Sequence, residues 1–386
     1  MKRVAFIINI DSMQWNGGLN YYRNLIRAIC DFSSNDISPV IITGLKADKS
    51  VFKDYPDVEY IKTGILDRNT PGWFMQRSVD RIFSRDILLE PLLSKNQIDL
   101  LSHSQYALNP RSSLPMCTWI PDFQQIDNPN FFSKKEIKWR DKEFHRLCMR
   151  SSRIILSSYD AQRDLTKFAP ELVSKSRVLQ FVTYPQIETS KIDVIKRKYH
   201  FDGPFFLLPN QFWIHKNHRI VFEALRILRA RNQKVLIIAT GKQYDYRNPN
   251  YYNEMIKLAR DYDILDSFRP LGVIPYSDLT CLMNYSVAMI NPSFFEGWST
   301  SVEEAKSLGK QIILSDILVH REQDPSYATY FDPNNEEELA AILWQTLSSW
   351  DSKIDRIRKQ QAKDQFPSRW HNFGKTYNNI INDALE

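Results

Sequence analysis

Two acidic residues beside a run of small polar residues are the first feature of this sequence that could do chemistry. In the segment NPSFFEGWSTSVEEAKSLGKQIILSD, Glu296 precedes a predicted helix, and Glu303 and Glu304 lie in its first turns. Thr300 with Glu303, or Ser301 with Glu304, has the spacing of a capping box. Capping leaves Glu296 unexplained. Because a carboxylate can accept hydrogen bonds from both hydroxyls of a diol, Glu296 and Glu304 are candidates for binding sugars.

Three loops carry groups that suit a phosphate. Gly297, Ser299 and Thr300 offer N–H and hydroxyl donors at the start of that helix. Lys216 lies just before another predicted helix, where a cation is unfavourable unless an anion binds beside it. A glycine pair ending at Gly18 follows the first predicted strand; it matches neither dinucleotide fingerprint nor P-loop, and an ordinary turn is the alternative. With the two acids, these loops indicate a ligand with a diphosphate, a ribose and a further sugar.

Two other patterns could suggest a metal, and neither is favoured. His215 and His218 are spaced i, i+3, but no acid lies nearby to complete a ligand set. Asp261 and Asp263 form a DxD pattern at the end of a helical segment, where a solvated turn is the simpler interpretation. The four cysteines lie far apart and are expected to be reduced thiols. The sequence predicts no metal site.

The elements that must position these loops are short apolar runs alternating with helical segments. Continuous apolar runs suit parallel strands covered on both faces, so the fold class is α/β with two Rossmann-like, doubly wound domains. We predict an N-terminal domain over 1–184, a linker over 184–204, a C-terminal domain over 205–366, and a helix over 367–386 that packs back on the first domain. The predicted strands are RVAFIINI, PVIITG, VEYIKTG, DLLSHS, CTWIPD, RIILSS, VLQFVT, FFLLPN, VLIIATG, FRPLG, VAMINPS, QIILSD and YFDP.

Composition limits the class of protein and its partners. The 386 residues are 43% hydrophobic and 25% charged, which is typical of a globular chain of about two domains. No apolar run approaches the roughly 18 residues of a membrane span, and the start MKRVAFIINIDS is interpreted as a strand, so the cytoplasm is the expected location. A net charge of +6 favours an anionic partner.

Basic and aromatic residues are concentrated in GWFMQRSVDRIFSRD and FFSKKEIKWRDKEFHRLCMRSSR. They are either ordinary surface helices or a contact with the inner face of a membrane that holds a lipid-linked acceptor. No recognised nucleic-acid-binding module surrounds the charge, so nucleic acid is not an expected partner.

At this point the sequence resembles a known family. Glu296 and Glu304 form an E-x7-E pattern similar to the signature of retaining glycosyltransferases of family four, which have the GT-B fold. The glycine pair, the lysine loop and the segment LGVIPYSDLTCLMNYSVAMINPS also resemble that family. The resemblance is dense from about Phe205 to Pro333 and sparse before it.

The resemblance implies roles for individual residues. Glu304 would bind the ribose, Glu296 would contact the donor sugar, and Lys216 would neutralise the leaving diphosphate without a metal or other cofactor. Further diphosphate contacts would come from Gly18, Asn210, Gly297, Trp298, Ser299 and Thr300, and the base would lie near Gly241, Val273 and Ile274.

Two departures from the family pattern affect these assignments. Asn210 stands where the family usually has an arginine, and Asn210 itself, Gln211, His215 or Arg219 is a candidate to compensate. Pro121 stands where the family usually has a histidine before an aspartate, which leaves Asp122, Gln124 or His103 to line the reaction centre. The structural alternatives are a core or strand-end position for His103 and a turn position for Asp122.

The resemblance and the loops together predict a retaining, metal-independent glycosyltransferase. It would move a sugar from a nucleoside-diphosphate sugar, with UDP or GDP, to a glycan or lipid-linked oligosaccharide in surface polysaccharide synthesis. The N-terminal domain would take the acceptor. The alternatives are a nucleotide-sugar epimerase of the same fold and a non-catalytic sugar-binding protein.

Overall fold

The computed structural model describes residues 1–9, 16–33, 35–75, 88–109, 112–184 and 191–386. It divides into two compact units, Met1–Thr183 with Ser368–Glu386, and Tyr184–Pro367. Among the described residues, no helix is both long and apolar enough to cross a bilayer.

The first unit is built on parallel strands flanked by helices. The strands order as β3-β2-β1-β4 and β5-β6-β7, and a parallel bridge between Leu101 and Met116 connects the two groups. The strands are β1 (Lys2–Ile7), β2 (Ile37–Gly44), β3 (Glu59–Thr63), β4 (Leu100–Ser102), β5 (Cys117–Ile120), β6 (Arg153–Leu156) and β7 (Ser176–Val178). The helices are α1 (Asn16–Phe32), α2 (Leu89–Lys95), α3 (Gln124–Asp127), α4 (Lys134–Arg150) and α5 (Tyr159–Phe168).

The second unit is a parallel sheet of order β10-β9-β8-β11-β12-β13. Its strands are β8 (Phe206–Leu208), β9 (Ile237–Ala239), β10 (Phe268–Pro270), β11 (Met289–Asn291), β12 (Ile312–Ser315) and β13 (Ala328–Phe331). Its helices are α6 (Ile192–Lys198), α7 (His218–Ala230), α8 (Tyr251–Asp261), α9 (Tyr276–Tyr285), α10 (Thr300–Ser307), α11 (Leu318–Gln323) and α12 (Glu336–Ser348). Since chain order reverses between β8 and β11, the sheet has a topological switch point there.

The apolar runs of the second unit form strands because both faces of the sheet are covered. Phe206 and Leu208 belong to one buried cluster, while Leu207, between them, belongs to the cluster on the opposite face. Successive side chains of a strand point to opposite faces, so each position in such a run must be apolar. Each of the thirteen predicted runs overlaps a strand, although VLQFVT overlaps β7 only at Val178.

The segments around the predicted domain boundaries differ from the prediction. Part of the expected linker is α6, and its Ile195 is buried in the core of the second unit. The last helix, α13 (Ser352–Leu385), begins well before 367 and contains Pro367 in its interior. In the second unit, Asp355 of α13 accepts from Lys310 Nζ at 2.7 Å. In the first, Tyr377 Oη donates to Ser102 Oγ at 2.9 Å.

Candidate functional site

The loops after β8 and β11 leave adjacent strands at the switch point of the second sheet. Ligands of such sheets bind beyond the carboxyl ends of the strands at this point. The first loop holds a turn of 3-10 helix, Ile214–Lys216, ended by Asn217 in the left-handed conformation. The Asn217 side chain donates to Pro333 O at 2.9 Å, which ties the turn to the end of β13. The topology therefore directs Lys216 and the loop containing Glu296 to one edge of the sheet.

Lys216 and Glu296 form a close ion pair at this edge. Lys216 Nζ lies 2.7 Å from both carboxylate oxygens of Glu296, and the two side chains are only 14% and 8% exposed. A pair this far removed from water is held by its own geometry and by the hydrogen bonds around it. The two residues that the sequence singles out for phosphate and for sugar are thus in direct contact.

Further hydrogen bonds fix the Glu296 carboxylate in its ionised form. Oε1 accepts from Ser293 Oγ at 2.7 Å and from Asn291 Nδ2 at 3.2 Å. Burial raises the pKa of Glu296, but attraction to Lys216, the nearby His320 and the Ser293 hydrogen bond outweigh it, so the net pKa lies below its ordinary value. Glu296 is therefore an acceptor at neutral pH.

Asn210, predicted at the diphosphate, is buried behind this pair. Its Nδ2 donates to Asn291 Oδ1 at 3.1 Å and lies 3.5 Å from Ser293 Oγ. Its Oδ1 has no hydrogen-bond partner among the described residues. Because the Nδ2 group faces inward, Asn210 orients the strand-end residues of β11, and its contact with a diphosphate stays a prediction.

Of the candidates to compensate for that arginine, Arg219 is the one that carries a charge. His215 is buried, and burial and the neighbouring Lys216 hold its pKa well below its ordinary value, so it is neutral. Arg219 is exposed on α7 and lies near Glu223. Gln211 carries no charge.

The capping-box predictions for α10 are wrong. Ser299 is the N-cap, and the helix begins at Thr300, one residue after the cap. Ser299 makes no side-chain cap bond, because its Oγ accepts from Asn291 Nδ2 at 2.9 Å. Glu303 is buried in the interior, where Gln323 Nε2 lies 3.2 Å from its Oε1.

Gln323, at the end of α11, holds the start of α10 in place. Its Oε1 accepts from Ser299 N at 3.3 Å, and its Nε2 donates to Ser299 O at 3.0 Å. The loop just before Ser299 remains partly exposed at Gly297 and Trp298, as does Thr300 just after it. These three residues, predicted to face the diphosphate, thus keep exposed surface beside the ion pair.

Glu304 lies eight residues after Glu296, on the first turns of α10. Its Oε1 accepts from Tyr276 Oη at 2.8 Å, across from the start of α9. This contact keeps the carboxylate at one orientation on a largely buried helix. Tyr276 was not among the predicted site residues.

Gly241 and the segment beyond β10 form the predicted base-binding position. Gly241 N donates to Gly272 O at 2.8 Å, and Val273 beyond it is exposed while Ile274 is half-buried. Gly241 has a φ of 126°, and a Cβ there would lie 2.8 Å from Asn210 O. Only glycine suits this backbone.

Gly241→Ala is therefore expected to destabilise the second unit by about 1–3 kcal/mol, with a lower midpoint in thermal or denaturant unfolding. Gly203→Ala is the matched control, because Gly203 also has a positive φ of 75° but no atom within 4 Å of the added Cβ. Equal losses in both variants would show that the close approach to Asn210 is not the cause.

The site residues predicted in the first unit make contacts that a structural role would explain. His103 is buried, with Nε2 2.6 Å from Tyr21 Oη and Nδ1 2.8 Å from Ser102 Oγ, and burial lowers its pKa to about 3. These contacts favour the strand-end interpretation of His103.

Asp122 accepts a hydrogen bond from Gln124 N at 3.2 Å, which favours its interpretation as a turn residue. Gly18 lies inside the first turn of α1, not in a loop before it.

The side chains of the two metal-like patterns make structural contacts. His218 stacks on Phe212 with ring centroids 4.1 Å apart, and its Nε2 lies 3.2 Å from Asn210 O. Asp263 is exposed and pairs with Arg229, on the surface of the second unit. In the part of the chain that the structure describes, no group of three or more His, Cys, Asp or Glu side chains is placed to hold a metal ion.

Several residues that shape the site were missed by sequence reasoning. Asn291 and Ser293 carried a signal, because they are the first polar residues after the apolar run of β11. Ser315, His320 and Gln323 carried none, since they contact the site through the pairing of β12 with β11.

Comparison with known proteins finds a family match in the second unit. Residues 191–364 match the family described as Glycosyl transferases group 1. The O-antigen chain mannosyltransferase RfbU of Salmonella typhimurium is 27% identical over 195 residues, which are 49% of this chain and 46% of that relative. The chain thus spans about half the length of that curated relative.

Solved structures match nearly the whole chain. A glycosyltransferase from Rickettsia africae superposes with a TM-score of 0.70 at 16% identity, covering 99% of this chain and 97% of its own. Anabaena Alr3699/HepE, solved with UDP and glucose, has a TM-score of 0.65 at 15% identity, covering 100% and 97%. The chain therefore has the GT-B fold, and its residues 191–364 are similar to the group 1 glycosyltransferases.

Proposed function

We propose that this chain is a retaining, metal-independent glycosyltransferase that moves a sugar from a nucleoside-diphosphate sugar to a glycan or lipid-linked acceptor. The observation that carries the proposal is the buried pair of Lys216 and Glu296 at the switch point. An ammonium beside a carboxylate suits a ligand with phosphate at one end and hydroxyls at the other. Glu304, oriented by Tyr276, suits the ribose of the same ligand.

The chemistry follows from where charge develops. As the bond between the sugar and the diphosphate breaks, negative charge grows on the departing oxygen. Lys216 and the amides at the start of α10 are fixed donors that stabilise that charge. In this role they replace a divalent metal.

Binding of the sugar nucleotide would give Lys216 and Glu296 new partners, so neither charge would be left unpaired. In the structure, Lys216 and Glu296 satisfy each other. With donor bound, the diphosphate would become the partner of Lys216, and sugar hydroxyls would donate to Glu296. Because the low pKa keeps Glu296 ionised, it can accept those bonds and can also balance positive charge on the sugar in the transition state.

The names of the relatives favour a surface polysaccharide as the product. RfbU is an O-antigen chain mannosyltransferase, and Alr3699/HepE was solved with UDP and glucose. We propose a hexosyl donor on UDP or GDP and an acceptor of the O-antigen type carried on a lipid at the inner face of the membrane.

Thermal-shift measurements with UDP, GDP and their sugars test the donor, because a ligand that binds the folded state raises the unfolding temperature. Incubation of the stabilising sugar nucleotide with and without a lipid-linked acceptor then tests the reaction. An epimerised sugar in the absence of acceptor would identify the epimerase alternative. Binding without turnover on any acceptor would identify a sugar-binding protein.

A membrane contact through α4 would place the protein near such an acceptor. The helix carries seven Lys and Arg against three Asp and Glu, and Trp139 on it is 64% exposed. We define the α4 stripe as the exposed residues at helical spacing on one side: Lys135, Lys138, Trp139, Lys142, Arg146 and Met149. A basic face with exposed apolar side chains suits an anionic bilayer surface. Most of the other basic stretch, GWFMQRSVDRIFSRD, lies outside the described residues.

Reversal of Lys135, Lys138 and Lys142 to glutamate is expected to lower binding to phosphatidylglycerol-containing vesicles by about 100-fold or more, since each basic residue contributes about 1 kcal/mol at such a surface. Vesicle co-sedimentation measures the loss, which should shrink as salt is raised. Reversal of the exposed Lys257, Arg260 and Lys353 of the second unit is the control of equal charge. Equal losses in both variants would mean that net charge alone, not the α4 stripe, determines binding.

A further inference from the structure

His320 is a fully buried histidine on α11 with no role in the proposed chemistry so far. Its Nδ1 lies 2.9 Å from Ser315 O and 3.2 Å from Ser315 Oγ. The shorter contact is to a carbonyl, so Nδ1 carries the proton and donates it. Its Nε2 is then an acceptor, and it has no hydrogen-bond partner among the described residues.

A chain of hydrogen bonds leads from this imidazole to Glu296. Ser315 Oγ donates to Ser293 O at 2.5 Å, and Ser293 Oγ lies 2.7 Å from Glu296 Oε1. The Ser293 hydroxyl also lies 2.6 Å from Asn291 Oδ1, but the charged carboxylate is the stronger acceptor. All the linking residues are buried.

The sheet explains why α11 reaches this place. β12 pairs with β11 in parallel, with Ile313 beside Ile290 and Leu314 beside Asn291. The two loops that follow these strands therefore lie side by side. Ser315 ends β12, Ser293 lies two residues beyond β11, and α11 begins three residues after Ser315.

Packing alone does not account for a histidine at this position. An apolar side chain of similar size would fill the same space without leaving a buried acceptor unpaired, which is unfavourable. Burial lowers the pKa of His320 more than the opposing attraction to Glu296 raises it, so the ring is neutral at pH 7. What the imidazole supplies is the donor at Nδ1.

We propose that His320 is a positioning residue that holds the Glu296 carboxylate in place through Ser315 and Ser293. The inference rests on the proposed function, because it assigns His320 to the same site. His320 does not touch the substrate. Through Ser315, His320 holds the backbone of Ser293 in place. The Ser293 hydroxyl in turn orients Oε1 of Glu296.

The test compares two replacements of His320 in the full-length protein. His320→Leu removes the donor and keeps an apolar filling, and it is expected to lower kcat by about 10- to 100-fold, as is usual when a supporting hydrogen bond to a functional group is lost. The dissociation constant of the sugar nucleotide, measured by calorimetry, is expected to change little. His320→Asn places an amide donor near the position of Nδ1 and is expected to recover most of kcat.

Two further variants keep the proposal falsifiable if His320→Leu folds poorly. Ser315→Ala breaks the same chain with a smaller change and is expected to lower kcat alone, and Ser315→Ala combined with His320→Leu should lower it no further, because residues acting through one path are not additive. Arg321→Leu is the control, since Arg321 lies next on the same helix but is 53% exposed and pairs with Asp316.

The outcomes separate the inference from the function on which it rests. Wild-type protein without turnover on any donor would overturn the proposed function. Wild-type turnover that is unchanged in His320→Leu and Ser315→Ala, or effects of the two that add in full, would overturn the positioning role alone. A loss of donor affinity with unchanged kcat would also contradict it.

Discussion

Lys216→Met is expected to lower kcat/KM for sugar transfer by about 100- to 1000-fold, which is the usual cost of removing one donor that stabilises a developing negative charge. Methionine keeps the length and packing of the lysine stem but not its charge. The variant should also be less stable by about 3 kcal/mol, because the Glu296 carboxylate is left buried without its partner. Initial rates with the preferred donor and denaturant unfolding measure the two effects.

The double variant Lys216→Met with Glu296→Gln separates stability from catalysis. Without either charge, no buried ion lacks a partner, so the unfolding free energy should recover toward wild type while transfer stays low. Lys257→Met, on the exposed side of α8, is the control and should change neither quantity. Turnover of Lys216→Met within tenfold of wild type would remove Lys216 from the diphosphate site.

Glu296→Gln alone is expected to lower kcat by about 100-fold or more, because the amide cannot balance positive charge on the sugar or accept as strongly from its hydroxyls. Glutamine keeps the size of the side chain and an oxygen for Ser293. Steady-state kinetics measures the loss, and Glu254→Gln on the exposed side of α8 is the control. Wild-type kcat in Glu296→Gln would contradict its proposed role.

The effect of Glu296→Gln on the unfolding free energy is expected to depend on pH. The folded pKa of Glu296 lies below the unfolded value, so its ion pair stabilises the fold fully above about pH 4.3 and loses that contribution as the pH falls through the folded pKa. The difference in unfolding free energy between wild type and Glu296→Gln should therefore be largest near neutral pH and narrow on acidification. A difference that grows on acidification would mean that the carboxyl is protonated in the fold.

The sequence was informative where function depends on short-range patterns. Apolar runs located the strands because parallel strands are buried on both faces, and the order of strand, loop and helix placed Lys216 and Glu296 beyond strand ends. The spacing of Glu296 and Glu304 indicated the glycosyltransferase family, and the match over residues 191–364 agrees.

The capping-box prediction was wrong because two local interactions competed. Thr300 and Ser301 had good capping-box spacing, but Ser299 is the cap because Gln323 and Asn291 hold it there. His103 could be interpreted as functional or structural, and its aromatic neighbours Tyr21 and Tyr377 are distant from it in the chain. A pattern of nearby residues carries no information on such neighbours.

What the sequence by itself determined is the class of fold, the two series of strands and the identities of the lysine and the acids at their ends, because these depend on periodicity and on residue type. Only the tertiary structure decided that Lys216 and Glu296 are each other's partner, that Asn210 faces inward, and that His320 supports the site from behind. The physical reason is that parallel strands adjacent in the sheet are distant in the chain. Hydrogen bonds between the loops that follow them therefore depend on strand order and register, which local composition does not encode.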